Sequence, residues 1–304
     1  MPRTLQVGQT CEVHVVTLTP DGPADECLLT VDDLLLEAPN WSLDDAALIL
    51  NGDGRLWRLE LESHALTPIE IDVPELNNDH VLDPDGSHIF LSAMDGQIYR
   101  ADLAGGPAVK VTDDRFGDGF FHFLHGVSPA GDELAWIGLR FDRTSGNGSA
   151  SIPEVFTTSL VTGDVRQLTG TGRPADGSEY SPDGEWIYFN TEQFSEVPGA
   201  AQLARMHTDG SGVEQLTSDD AVNWFPHLSL DGQWGVHIAF PAGTLGHPAD
   251  LPVRLNVVRP EVDGWQVPVA SIELFGGQGT INVNSWSPSS GAFAYVSYPL
   301  GATP

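Results

Sequence analysis

Three histidines in this sequence occupy nearly the same place in a recurring local pattern. His80, His125 and His227 each stand two or three residues before a short Ser-Pro-Asp-Gly-like turn motif. Ahead of the last copy lies Gln278, in Gly276-Gly277-Gln278-Gly279, where glycine lets the backbone approach a neighbour closely. Imidazole nitrogen combined with carboxylate or amide oxygen suits a divalent ion such as Mn²⁺, Zn²⁺ or Ca²⁺. His80, His125, His227 and Gln278 are therefore the candidate metal ligands. A cation held by them would polarise a carbonyl or acidify a proton. His125, Arg254 and Glu179 are the candidate catalytic groups, as base, charge stabiliser or supporting carboxylate. Asn40, Asn78, Asp79 and Asn282 come from the same windows and are candidate substrate contacts. His247 and Asp250 join them from His247-Pro248-Ala249-Asp250-Leu251-Pro252-Val253-Arg254, which reads as an inserted lid over a mouth or as an ordinary surface loop. Each histidine taken singly also reads as a polar residue at a strand start. Strict strand alternation would put His80 and His125 out of phase with His227.

The elements that must position these groups follow from the repeat. Its Ser position recurs at 42, 83 (an Asp there), 128, 181, 229 and 287, in segments such as Tyr180-Ser181-Pro182-Asp183-Gly184 and Trp41-Ser42-Leu43-Asp44-Asp45. Pro presets φ and Gly accepts φ > 0, so each copy is a tight turn. A short β-rich run follows, for example 185–190, and then an alternating run such as 54–61 or 96–103. A further strand ends in Leu-Thr or Val-Thr at 111–112, 168–169 and 216–217. No segment holds a 3.6-residue apolar period with caps, so little helix is expected. Periods of about 40–50 residues built from short strands indicate propeller blades. The last copy has room for only two strands, 282–287 and 292–297, while 12–18 and 26–31 precede the first. The expectation is all-β: one six-bladed β-propeller over residues 1–304, four antiparallel strands per blade, with the last blade closed by the N-terminal strands.

Composition sets the outer limits. The chain has 304 residues, a net charge of -30 and a single lysine, Lys110. Nucleic acid is a poor partner for so acidic a surface. No run of about 18 apolar residues exists, so no membrane span is expected. The first residues lack an apolar signal core, which points to a cytoplasmic protein. Cys11 and Cys27 are too few for a disulfide scaffold or a cysteine zinc cluster. No Gly-x-Ser-x-Gly elbow, phosphate loop or dinucleotide fingerprint is present, so no organic cofactor is expected. Asp118 and His122 beside Phe120-Phe121 read as a sugar-stacking wall or as packing, and 140–151 reads as a loop.

The Trp-Ser-Pro-Asp-Gly repeats resemble those of the TolB-like β-propellers, over nearly the whole chain. Glu37-Ala-Pro-Asn-Trp41, Asn77-Asn-Asp-His80, Trp224-Phe-Pro-His227 and Phe275-Gly-Gly-Gln-Gly-Thr280 are similar to segments of small stand-alone members of that group. A more distant likeness is to oligogalacturonate lyase, a seven-bladed propeller whose channel holds a divalent metal on histidines and a glutamine. Two functions are implied. One is a metal-dependent lyase or hydrolase acting on a carbohydrate, a neutral one because net charge disfavours an anionic substrate unless Arg143, Arg205 or Arg254 line the mouth. The other is a non-enzymatic propeller that binds a small ligand in its channel or a protein on its top face.

Overall fold

In a computed structural model that describes residues 3–141 and 151–301, six sheets are arranged as the blades of a propeller. Blades 1 to 5 each carry four antiparallel strands, with inner strands Leu36–Trp41, Leu76–Leu82, Phe120–Val127, Ala175–Tyr180 and Val222–Leu228. No helix occurs among the described residues. Blade 6 joins Ala292–Ser297 to Cys11–Thr19 and then Gly22–Val31. The segment expected as its inner strand, 282–287, is more irregular. It is held by a bridge between Trp286 and Phe293 and by Ala294 N–H donating to Ser285 O at 3.1 Å. The N-terminal strand pairs with Ala292–Ser297 in register from Glu12↔Ser297 to Thr17↔Ala292, so the ring closes on hydrogen bonds rather than on a free edge.

The repeat has a mechanical reason. In blade 4 the Ser181 hydroxyl donates to Asp183 and accepts the N–H of Trp186 at 3.0 Å. Blade 5 repeats this with Ser229, Asp231 and Trp234, and blade 1 with Ser42, Asp44 and Ala47. The residue three after the Ser position is always left-handed: Asp45 (φ 59°), Gly86 (73°), Gly131 (70°), Gly184 (74°), Gly232 (68°) and Ser290 (61°). Glycine in the repeat is thus a backbone requirement that blades 1 and 6 meet with strained residues.

A second irregularity aims side chains at the axis. Every complete inner strand carries a register shift against its neighbour, as at Glu37/Asn40, Asp176/Glu179 and Trp224/His227. In these three blades the extra residue is left-handed: Ala38 (φ 53°), Gly177 (65°) and Phe225 (53°). Bulges break the strict alternation of a strand. In blade 3 the shift falls at His125 itself and re-aims it, whereas in blades 2 and 5 it precedes His80 and His227, which keep opposite phase.

Candidate functional site

Of the residues predicted at the axis, His125, His227, Glu179, Asn40, Asp79 and Asn282 interlock there, whereas His80 bonds Ile49 O of the neighbouring blade. In one layer His125 of blade 3 spans the ring: its Nδ1 donates to the Asn282 carbonyl of blade 6 at 3.2 Å, and its Nε2 lies 3.2 Å from Asp176 of blade 4. Asp79 of blade 2 lies within its field and is hydrogen-bonded by the Asn282 side chain. Burial opposes charge on His125, but Asp79 and the Asp176 hydrogen bond override it and raise its pKa to about 9. Burial, with the Asp176 charge beside it, pushes Asp79 up to about 6. Burial lowers His247, whose ring packs 4.3 Å from Trp224 and whose buried Nδ1 has no partner.

The next layer is tied as tightly. His227 gives one nitrogen to the Glu179 carboxylate and the other to the Ile281 carbonyl, 2.6 Å away. Glu179 also accepts from Leu228 N at 3.2 Å and from Asn284 Nδ2 at 2.6 Å. Asn40 of blade 1 donates to Asn284 O at 2.6 Å, and its buried Oδ1 has no partner. Blades 1, 4, 5 and 6 are thus joined through one polar chain.

Beyond the first layer, where the inner strands begin, a third cluster packs over the axis. Arg3 donates to Glu37 at 3.1 Å, to the Gln278 carbonyl at 2.7 Å and to Asp250 at 3.0 Å. Asp250 also accepts from Gln6 and Gln9. Burial raises Glu37 to about 7 despite Arg3. Arg3, Glu37 and Asp176 were not singled out in the sequence. Glu37 and Asp176 stand five residues before the Ser position in their blades, a place that the equivalent residues Asn78 and Asn282 could have flagged.

At the opposite end, where the inner strands run out, a pocket of about 350 Å³ opens on the axis. All six blades line it. Its floor includes Asn40, His125, Glu179 and Asn284. Its rim is Leu43, Pro84, Pro129, Pro182 and Leu230, the residue after the Ser position in five of the six repeats. Leu43 is 40% and Leu230 50% exposed. A larger cleft of about 810 Å³ lies between the turns of blades 2 and 3, next to the Arg100–Asp83 ion pair, and gathers residues from only those blades.

The fit to a shared metal ion is poor. His125 and His227 have both ring nitrogens on oxygen partners, and His80 uses Nε2 on Ile49 O at 3.3 Å, its Nδ1 being buried without a partner. The Gln278 backbone carbonyl is bound by Arg3. Arg254 stands on the third strand of blade 5, nearly half exposed and 3.9 Å from Glu273, so it does not join the axial set. The supposed lid is half strand: Leu251–Val258 belongs to the blade 5 sheet, while His247 and Asp250 turn inward. Asn78 lines a pocket of about 180 Å³ between blades 1 and 2 with Arg3, Glu37 and Gln278, and its buried Nδ2 is unpartnered. Arg205 lies over the Trp186 ring and bonds Glu214, away from the axis, and Arg143 and most of 140–151 lie outside the described residues. His122 is packed among Phe116, Phe120 and Trp136, with Nδ1 on Gly96 O, which is packing rather than an open sugar wall.

Comparison with known proteins fits this architecture. An uncharacterized protein of Agrobacterium fabrum is 36% identical over 272 residues, 87% of this chain and 85% of that protein. A solved Agrobacterium tumefaciens structure, provisionally assigned as a TolB, superposes with a TM-score of 0.82 and 30% identity, covering 96% of this chain and 99% of the other. The chain belongs to the TolB-like β-propeller family. No family model matches it. TolB of Acinetobacter baumannii (TM-score 0.60, 19% identity, 90% of this chain and 64% of that one) shares the fold. So does an oligogalacturonate lyase solved with manganese (TM-score 0.54, 13% identity, 90% and 75%).

Proposed function

We propose that this TolB-like propeller is a non-enzymatic binding module that takes a protein segment into the axial pocket on its turn face. The observation that carries the reading is that pocket: about 350 Å³, lined by all six blades, apolar at its rim and polar at its floor. Its size falls in the range of specific ligand sites. The rim leucines and prolines suit an inserted apolar side chain. The net charge of -30 favours a neutral or basic segment over an acidic one. Metal-dependent lyase or hydrolase chemistry on a neutral carbohydrate has less support, because the axial histidines spend their nitrogens on neighbouring oxygens.

The test is selection of peptides from a random displayed library on the immobilised full chain. Neutral or basic sequences with one large apolar residue are expected. Their affinity should fall at least about tenfold with Leu230→Asp, about 1.4 kcal/mol or more. Selected peptides that bind Leu230→Asp unchanged would place binding elsewhere.

A further inference from the structure

A second site lies far from the axis, on the outer hairpin of blade 6. There Glu12 and His14 stand on the first strand of the chain and Cys27 on the second, with His14 paired directly across from Cys27. A carboxylate oxygen of Glu12, a ring nitrogen of His14 and the thiol of Cys27 lie within 4.8 Å of one another. The register slips between Val13 and His14, and bulges of this kind re-aim side chains.

The surroundings of His14 favour a metal over a chance contact. Its Nδ1 lies 3.1 Å from Asp25 Oδ1, and Asp25 in turn accepts from Tyr295 Oη at 2.6 Å. The Tyr295 ring stacks on the imidazole at 4.6 Å and fixes its plane. A carboxylate on one ring nitrogen sets the tautomer and presents the other nitrogen as a ligand, the arrangement common behind histidines that bind zinc. The nitrogen so presented, Nε2, lies 3.4 Å from Glu12 Oε2 and 3.3 Å from the Ser297 hydroxyl, which a metal ion would displace. Thiolate, imidazole and carboxylate together match a borderline-soft ion.

We propose that Glu12, His14 and Cys27 form a Zn²⁺ site, with Asp25 as the positioning residue and a water as fourth ligand. On binding, Cys27 releases its thiol proton to solvent and the thiolate joins the metal. Three protein ligands leave one position open, so the ion is exchangeable rather than enclosed. It would tie together the two N-terminal strands that close the ring.

The chain carries a convenient reporter. Cys11 is fully buried and Cys27 exposed, so a disulfide reagent applied to the folded protein reads Cys27 alone. With metal-stripped full-length protein, Zn²⁺ should slow labelling of Cys27 at least about tenfold. The concentration required should rise about 10- to 100-fold in Asp25→Asn. Co²⁺ should give a thiolate-to-cobalt charge-transfer band that Cys27→Ser abolishes. Cys27 is exposed, so that variant keeps its fold. Labelling indifferent to Zn²⁺, protection unchanged in Glu12→Gln, or a cobalt band that survives Cys27→Ser would each overturn the site.

Discussion

The two ends of the propeller axis are built from the same repeat but to opposite effect. Toward the strand starts, polar side chains cross the ring and consume one another: His125 with Asp176 and Asn282, Arg3 with Glu37 and Asp250. Toward the turns, the Pro or Leu after the Ser position in five of the six repeats rims a cavity. A buried charged group is tolerable only when paired and hydrogen-bonded. The histidine cluster is therefore a fastening of the ring, and the open end is where a partner has room. A residue pattern that departs from a repeat marks a special place, but burial and partner count decide whether the place binds or holds.

Substitutions should separate the two ends. The largest effect is expected at Glu179→Ala, which strands His227 and removes two further hydrogen bonds. Leaving a buried partner uncompensated costs about 3–5 kcal/mol, read by urea unfolding. A loss under about 1 kcal/mol would mean that the fastening is not one.

A pH profile sharpens the same contrast. The pKa of His125 rises from 6.5 to about 9 on folding, so its contribution is fully present below pH 6.5 and disappears as pH climbs toward 9. That shift corresponds to about 3 kcal/mol. Stability should fall between pH 7 and 9, and His125→Asn should be less stable but flat across that window. Persistence of the slope in His125→Asn would assign it to other groups.

The turns should respond least. A Cβ at Gly232 meets nothing within 4 Å, so Gly232→Ala isolates the cost of φ 68°, about 1 kcal/mol in thermal unfolding. Leu230→Asp, half exposed at the rim, should leave stability within about 0.5 kcal/mol while weakening peptide binding at least about tenfold.

Much of this fold was legible because the repeat encodes a mechanical device. Ser181 and Asp183 clamp one turn, and Ser229 and Asp231 another, so the spelling recurs with the structure. The closing of blade 6 by the N-terminal strands follows from counting strands, but the irregular 282–287 does not, because a segment held by one bridge can keep a strand's composition. At the axis, His125, His227, Glu179 and Asn40 were found by their place in the repeat. What they do was hidden, since His125 reaches blade 6, 157 residues away in sequence. Nothing local marks Arg3; its role rests on contacts with residues 34, 247 and 275 positions away. Charge in an apparent insertion suggests a lid, whereas Arg254 stands on the strand Leu251–Val258.

Hydrogen exchange of the full chain with and without a selected peptide tests the central claim most directly. Protection confined to the pocket segments 40–43, 81–84, 125–129, 179–182, 228–230 and 284–286 is the predicted result. Protection at 247–250 and 278 instead, on the end packed around Arg3, would contradict it.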